Sequence, residues 1–397
     1  QLAYKSEMGS YCASIQELVG FVDTGFISII ERKDTSFMYY DKIYQKEMNK
    51  DSVMIRVLGQ EKVSMQLFGE GFMAESLRHI SGTDSSFSMD ASEINKNGVD
   101  VATFEVSAPY KVIFADINSR TFNIDPESVR DKLTENTKAI IAVHLFGYCA
   151  DMVALKQIAG TIPIIEDAAC AAGASLNGVP AGGLGDIGCF SFHPRKSITT
   201  GEGGMITTNN ETYASLMGML RNHGASLSEE QRHHGPRPYF LPEFNLLGFN
   251  YRMTDLQGSV GCVQIKKLDQ FIDERAKWAA YYRKELASLD WIQLPIEEEG
   301  YKHGWQSFAT LIDESKSPMS RNELMEYLQE NGVSTRPGTH AVHMLGYYKN
   351  KYNIAAEDFP ESKIANDYSM AIPLHNRMTR EDYEYVVYSL KNLLCAE

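Results

Sequence analysis

An alternation of apolar and helical segments between residues 138 and 169 constrains the fold most strongly. The segments KAIIAVHLFG and PIIEDAA are short, apolar and rich in β-branched residues, which is typical of strands buried on both faces. Between them, DMVALKQIAG has the pattern of a helix, and Gly160 stands where a glycine commonly ends one. The order strand–helix–strand predicts a parallel sheet with a right-handed crossover.

The segments upstream of this unit are less regular. KVIFADIN, which begins at Lys111, is predicted as another strand, and Asp125 and Pro126 predict the start of a helix by capping it and opening its first turn. Residues 1–105 show no clean hydrophobic period, except for a helix predicted over Ala13–Gly25.

An acidic pair and a lysine lie close together in sequence between Pro163 and Asn210. Asp167 ends the PIIEDAA strand, and open α/β sheets bind their ligands at such strand ends. Strand alternation turns Glu166 to the opposite face, so we predict a structural role for it. Lys196 lies between two further predicted strands, GCFSFHP and GGMITTN, in a turn rich in Ser, Thr and Gly.

These residue types suit pyridoxal 5'-phosphate (PLP). A lysine amine forms the Schiff base with its aldehyde, and a carboxylate keeps its pyridine nitrogen protonated, so that the ring withdraws electrons. Hydroxyl and backbone N–H groups of a turn can hold its phosphate.

The C-terminal part predicts a smaller α+β domain. A capping box at Thr254 and Gln257 begins a helix predicted to run to about Leu289, long enough to join two domains. A strand (WQSFATLID), a second capped helix at Ser320 and a final helix from Thr379 follow. We therefore predict a large domain over residues 1–255 and a small domain over residues 256–397.

Composition excludes several classes of function. The net charge of −14 argues against general binding of nucleic acid, which needs clustered Lys and Arg. The six cysteines have neither C-x-x-C pairs nor histidines at zinc spacing, so we expect reduced thiols and no metal. No apolar run is long enough to cross a bilayer, and no signal peptide is recognised, which predicts a cytoplasmic protein without membrane contact.

Taken together, residues 111–394 resemble the nucleotide-sugar aminotransferases, the DegT/StrS group of fold-type-I PLP-dependent enzymes. The motifs that carry the resemblance, in chain order, are FADINSRTFNIDP, IIAVHLFGYCADM, IIEDAACAAGA, LGDIGCFSFHPRKSITTGEGG, LRNHG, LLGFNYRMTDLQGSVG and GTHAVHMLGYY. The resemblance implies a large domain with a mostly parallel central sheet flanked by helices, a smaller C-terminal α+β domain, and a homodimer with shared active sites. Residues before 105 resemble the family poorly.

The resemblance also implies residue roles. Lys196 would be the Schiff-base lysine, Asp167 would pair with the pyridinium nitrogen, and Ser191 would bind the phosphate. Asn250 would reach the phosphate of the neighbouring subunit's cofactor. Cys170 stands where the family often has Gln or His, near the phenolic oxygen, and a thiol is a weaker hydrogen-bonding group.

Other implied contacts rest on fewer matching residues. Gly82 and Thr83 would give further phosphate contacts. Phe104 and Tyr110 are both candidates for the aromatic residue that stacks on the ring. Basic and aromatic side chains that would suit a diphosphate and a base are His233, His234, Arg237, Tyr239, Arg336, His340 and His343.

The implied function is PLP-dependent transamination of a keto group on a nucleotide-linked deoxysugar, with L-glutamate as amino donor, in polysaccharide or deoxysugar biosynthesis. Two alternatives stay open. One is a PLP-dependent sugar dehydratase, although members of that branch carry histidine at the position of Lys196. The other is a non-catalytic PLP-binding regulator, which the poor match before residue 105 would favour.

Overall fold

The computed structural model describes residues 7–8, 12, 14–41, 46–63, 88–96, 99–107, 111–227, 239 and 241–393. The chain divides into two compact units, residues 1–112 and 113–397. The predicted boundary at residue 255 lies inside the second unit and stays a prediction.

In the first unit, helix α1 (Ile15–Thr24) confirms the helix predicted there, and Ser14 caps it by accepting a hydrogen bond from the Glu17 N–H. Val19 and Val22 of this helix pack with Val63 in a small core. Two antiparallel pairs of strands complete the described part of the unit: β1 (Phe26–Asp41) with β2 (Lys46–Lys62), and β3 (Ser88–Lys96) with β4 (Val99–Ser107).

The second unit contains the predicted parallel sheet. Its strands are β5 (Ile140–Val143), β6 (Ile164–Asp167), β9 (Ile187–Ser191) and β10 (Gly204–Thr207), in the order β10-β9-β6-β5. Strands β5, β6 and β9 are parallel, and only β10 runs antiparallel to its neighbour β9. The α/β class expected from the sequence is confirmed.

Two short helices cover one face of this sheet. They are α2 (Pro126–Lys132), capped by Asp125 as predicted, and α3 (Met152–Ala159), followed by Gly160 at a φ of 60°. Val129 and Leu155 from these helices pack with Ile140, Ala142 and Ile164 of the strands in one buried core. Alternation along β5 leaves Ile141 and Val143 exposed on the opposite face.

The strand predicted at KVIFADIN is wrong. Residues 111–118 form only one isolated bridge, from Ile117 to Ile124. The backbone there bonds to other partners, since the Asp116 N–H donates to Ser128 Oγ at 2.8 Å and the Asn118 N–H to the Asn123 carbonyl at 2.9 Å. Asp116 also accepts from the backbone N–H of Ser362 at 2.8 Å, so this segment ties to the C-terminal part of the unit.

A small ribbon and helix α4 connect the sheet to the rest of the unit. The ribbon pairs β7 (Ser175–Leu176) with β8 (Val179–Pro180) and β12 (Tyr301–Lys302), and α4 spans Glu211–Leu220. The long helix predicted from Thr254 is two helices, α5 (Asp255–Ile265) and α6 (Leu268–Leu286). The two helices are separated by a tight turn, in which the Lys267 N–H donates to the Gln264 carbonyl. Of the two, only α6 has fully buried residues.

The C-terminal part is an antiparallel sheet with helices, as predicted. Its strands are β11 (Ile292–Gln293), β13 (Phe308–Ile312), β14 (Arg336–Pro337) and β15 (Ser369–Ile372), and its helices are α7 (Arg321–Glu330), α8 (Gly346–Tyr352), α9 (Pro360–Tyr368) and α10 (Arg380–Lys391). The strand order is β11-β13-β15-β14, and a large core that includes Tyr282, Trp305, Phe308 and Tyr383 forms in this part. The capping boxes predicted at Ser320 and Thr379 are both present.

Candidate active site

Asp167 lies at the C-terminal end of β6, on the sheet face that α2 and α3 do not cover. It is level with Val143 on β5 and Cys189 on β9, and Ile206 of β10 continues the row. The N–H of Ala169 donates to Asp167 Oδ1 at 3.1 Å. Among the described residues, no donor reaches Oδ2, so one carboxylate oxygen is available to a ligand.

Ser191 ends β9 two residues after Cys189, so alternation places it on the same face as Asp167. Its Oγ accepts a hydrogen bond from the His193 N–H at 3.4 Å. This places the hydroxyl predicted for the phosphate and the carboxylate predicted for the pyridine nitrogen on neighbouring strand ends.

Lys196 is held in a compact turn between β9 and β10. Its N–H donates to the His193 carbonyl at 2.9 Å, and the N–H groups of Phe192 and Thr200 close the turn by bonding to Gly203 and Phe192. Its Nζ lies 3.1 Å from Cys170 Sγ, to which it donates. The structure therefore brings the predicted lysine to the loop that follows Asp167.

Glu166, on the opposite face of β6, belongs to a buried network that confirms its predicted structural role. His144 Nε2 lies 2.8 Å from Glu166 Oε2, and both side chains are fully buried. The Ala150 N–H donates to His144 Nδ1, so Nε2 carries the proton and donates to the carboxylate. The Gly182 N–H also donates to Oε2, and the Gly185 N–H donates to Oε1.

Burial alone raises the pKa of Glu166, but these hydrogen bonds from His144 and the two glycines outweigh it and lower the pKa below its ordinary value. Both oxygens of the Glu166 carboxylate therefore accept hydrogen bonds from within the fold. Sequence reasoning missed His144, although its place in the HLFG motif directly after β5 was a usable signal.

A second set of residues that sequence reasoning missed fixes the backbone around Lys196. The buried Arg275 guanidinium on α6 donates through Nη1 to Ser197 Oγ at 2.9 Å and through Nε to Asn376 Oδ1 at 2.8 Å. Gln306 Nε2 donates to the Arg195 carbonyl at 2.7 Å. Both neighbours of Lys196 in the chain are thereby held by residues distant in sequence.

Arg275 has no carboxylate within ion-pair distance among the residues that the structure describes; Asn376 instead stands between it and Glu274, whose Oε2 accepts from Asn376 Nδ2 at 2.8 Å. Burial lowers the pKa of Arg275. A buried guanidinium without a direct counter-charge is costly. Here its Nε donates to Asn376, and its Nη1 donates to Ser197 and, at 3.4 Å, to the Trp305 carbonyl.

Asn250 is exposed, and in the described part of the chain no hydrogen bond joins it to Asp167, Ser191 or Lys196. It pairs by an isolated bridge with Asn222, and Arg252 Nη1 donates to Asn222 Oδ1 at 2.9 Å. The predicted contacts Gly82, Thr83 and Tyr110 lie outside the described residues. Phe104 lies on β4 of the first unit, where its backbone pairs with that of Ala91.

The predicted substrate residues are only partly placed. His233, His234 and Arg237 lie outside the described residues, and Tyr239 is exposed. Arg336 is exposed on β14, where its Nη1 donates to the Thr335 carbonyl at 2.6 Å, and His340 is exposed nearby. His343 is buried, with Nε2 3.1 Å from the Ala356 carbonyl, which favours a structural role for this histidine.

An α/β unit with a carboxylate at a strand end and a lysine in a neighbouring turn has the residue types that a PLP-dependent enzyme needs. Residues 101–391 match the model of the DegT/DnrJ/EryC1/StrS aminotransferase family, and the chain belongs to this family. Residues 1–100 lie outside the matched range.

Named relatives agree with this membership. The chain is similar to GDP-perosamine synthase of Caulobacter vibrioides, with 32% identity over 285 residues, which cover 71% of this chain and 73% of that protein. It is 30% identical, over 71% of its length and 73% of the relative's, to the spore coat polysaccharide biosynthesis protein SpsC of Bacillus subtilis. The solved aminotransferase from Psychrobacter cryohalolentis superposes with a TM-score of 0.67 at 27% identity, covering 71% of this chain and 75% of that one.

Family membership makes PLP the cofactor of this chain. The described residues fit it: a lysine amine, a carboxylate with one oxygen unbonded among the described residues, and a serine hydroxyl all lie at the ends or in the connections of β6 and β9. Among the described residues no group of His, Cys, Asp and Glu is arranged to hold a metal ion. In that same part of the chain, every helix is too short or too polar to cross a membrane.

Proposed function

We propose that this aminotransferase transfers an amino group to a keto carbon of a nucleotide-linked deoxysugar, with L-glutamate as donor. The observation that carries the proposal is the placement of Lys196 and Asp167 at adjoining connections of one sheet, within a family whose named relatives include GDP-perosamine synthase. The relation to SpsC supports a place in polysaccharide biosynthesis.

The proposed roles follow from the chemistry of each side chain. PLP, when bound, supplies an electron sink that stabilises negative charge at a carbon beside the amino nitrogen. Asp167 Oδ2 would keep a proton on the pyridine nitrogen, and Ser191 Oγ, with Gly82 and Thr83, would hold the phosphate. Lys196 Nζ would bind the aldehyde carbon and, once released, would take a proton from the donor's α-carbon as general base and deliver it as general acid to the cofactor carbon that it had bound.

A panel of keto nucleotide sugars tests the reaction. Purified protein with PLP is incubated with each sugar and glutamate, and products are read by mass spectrometry. We expect an amino sugar with equimolar 2-oxoglutarate, and a visible absorption band that glutamate shifts. A product that has lost water without gaining nitrogen would instead support the dehydratase. A bound cofactor that glutamate leaves unchanged would support the regulator.

The surface around Asn250 supports a homodimer with shared sites. Leu241, Leu247, Tyr251 and Leu256 lie on either side of it in the chain and are 78%, 89%, 72% and 81% exposed. Helix α5 has no fully buried residue, and Asp255 is its only charged one. Large exposed apolar side chains in such density are typical of a protein–protein interface. We infer that two copies associate here and that Asn250 reaches the phosphate site of the partner.

Complementation between two inactive variants tests the shared site. Lys196→Ala and Asn250→Asp proteins are mixed, dissociated in mild denaturant and allowed to reassociate. If each site takes Asn250 from the other subunit, one of the two sites in a mixed dimer carries both substitutions and the other carries neither. We expect activity to return in the mixture and not in either variant alone. A mixture that stays inactive, although light scattering shows dimers, would contradict the shared site.

A further inference from the structure

Cys170 and Lys196 form the closest contact between two nucleophilic side chains near the candidate active site. Nζ and Sγ are 3.1 Å apart, and both side chains are partly accessible to solvent. Among the described residues, Nζ has no other hydrogen-bond or ion-pair partner. Lys196 lies in the turn between β9 and β10, and Cys170 lies in the loop that follows β6, so the fold brings the pair together.

The other described cysteines lack this combination. Burial raises the pKa of Cys149 to about 12, and burial together with Asp167 raises the pKa of Cys189, which keeps both as less reactive thiols. Cys12 is buried in the first unit, and Cys262 is exposed on α5 without a lysine contact in the described part. Cys170 is therefore the thiol whose oxidation product would meet an amine.

We propose that Cys170 and Lys196 are a site of reversible oxidative modification, in which a peroxide joins Sγ to Nζ as a sulfenamide. The thiolate sulfur first attacks the O–O bond and is oxidised by two electrons to sulfenic acid, while the peroxide is reduced to water or an alcohol. The Nζ lone pair then attacks the sulfur. The S–O bond breaks, the hydroxide leaves as water with one proton of the amine, and an S–N bond remains.

A small thiol reverses the modification. Its sulfur attacks the Cys170 sulfur, the S–N bond breaks, and the amine takes up a proton as the mixed disulfide forms. A second thiol then releases the Cys170 thiol and leaves as a disulfide. The bond protects Cys170 from further oxidation to the sulfinic acid, which is not reversed by thiols.

The consequence for activity rests on the proposed function, in which Lys196 is also the amine that binds PLP. The sulfenamide and the lysine–PLP bond use the same nitrogen, so each excludes the other. Protein whose lysine carries PLP is then protected, and protein whose lysine is free, after reaction with glutamate or without cofactor, is open to the modification.

Mass spectrometry of the full-length protein tests the proposal. PLP-free and PLP-loaded protein are treated with hydrogen peroxide, and the mass and tryptic peptides are compared before and after dithiothreitol. We expect PLP-free protein to lose two hydrogen atoms. A peptide of residues 157–195 joined to residues 196–221 should appear and be lost with thiol. Cys170→Ser should not form it, whereas the matched Cys262→Ser should form it as the parent protein does.

Two results would overturn the proposal: oxidation of Cys170 by addition of oxygen atoms with Lys196 free, or a joined peptide that persists in Cys170→Ser. Lys196→Met gives an independent check, because its Cys170 should then accumulate sulfenic acid that dimedone traps. Failure of the proposed function looks different. If Lys196 did not bind PLP, the joined peptide would still form, but PLP would not protect against it.

Discussion

The two faces of the four-stranded sheet treat the neighbouring carboxylates of β6 in opposite ways. Glu166 is fully buried, with His144 and two glycine N–H groups on its oxygens, and the hydrogen bonds lower its pKa despite burial. Asp167 is only half-buried and, in the described part, has a single donor on one oxygen. On the face that α2 and α3 cover (the closed face), the Glu166 carboxylate holds loops together. On the opposite face (the open face), the Asp167 carboxylate is available to a ligand.

The short strand β6 thus contributes to stability through one acid and to the proposed function through the other. The two acids are neighbours in the sequence, but alternation along β6 places them on opposite faces of the sheet. Changes on the closed face should therefore alter the free energy of unfolding, and changes on the open face should alter the reaction.

The largest effect should come from Lys196→Ala, on the open face. Loss of the amine that we propose binds PLP and transfers the proton should lower kcat by more than about 10³-fold. The unfolding midpoint should change little, because Nζ contacts only Cys170 among the described residues. Steady-state kinetics and urea unfolding check both parts. The exposed Lys302→Ala is the matched control, and a Lys196→Ala protein that transaminates at the full rate would contradict the role.

Asp167→Asn and Glu166→Gln should separate activity from stability. Asp167→Asn removes the charge that we propose holds the pyridinium proton and should lower kcat about 10²-fold or more, with a small change in the free energy of unfolding. Glu166→Gln weakens the charged hydrogen bonds of a buried network and should lower the free energy of unfolding by about 2–3 kcal/mol, with kcat nearly preserved. A loss of stability in Asp167→Asn together with a loss of kcat in Glu166→Gln would contradict the different roles of the two faces.

Arg275→Met should give an intermediate effect on activity by loosening the turn of Lys196. The variant loses the donors to Ser197 and Asn376, and we expect kcat to fall about tenfold with KM for glutamate nearly unchanged. Ser197→Ala should cause a similar loss, and the double variant should lose no more than either one. Arg283→Met on the same helix is the control; additive losses in kcat would show that Arg275 and Ser197 act independently and would contradict this role of Arg275.

The smallest effect should appear in the pH dependence of stability. The folded-state pKa of Glu166 lies below its ordinary value of 4.5, so the unfolded state binds more protons as pH falls below that value. The contribution of Glu166 is therefore fully present above about pH 4.5 and is lost as pH falls through the folded-state pKa. The difference in unfolding free energy between parent and Glu166→Gln should shrink between pH 5 and 3, measured by urea denaturation; a constant difference would contradict it.

The sequence predicted those parts of the site that depend on local pattern. The apolar run ending in Asp167 and the Ser/Thr/Gly turn at Lys196 were enough to place both residues, because strand ends and turns have local signatures. His144 and Arg275 were missed because their partners lie 22 and 78 residues away, at Glu166 and Ser197. No local pattern encodes a contact between two such distant polar residues.

Elements whose backbone bonds to side chains were also hard to predict. KVIFADIN has the composition of a strand, yet the Asp116 N–H bonds to Ser128 Oγ rather than to a neighbouring strand. The helix from Thr254 has a continuous helical pattern, but it breaks where α5, without fully buried residues, gives way to α6, which packs into the core. In both cases tertiary contacts outweighed local propensity.

Trapping the cofactor on its lysine tests directly whether Lys196, on the open face, binds PLP. Borohydride is added to PLP-loaded protein to fix the cofactor on its lysine, and the labelled tryptic peptide is sequenced by mass spectrometry. We expect one pyridoxyl group per chain, on Lys196, and no label fixed to the protein when glutamate is added before borohydride. A label on another lysine, or none in protein that transaminates, would contradict it.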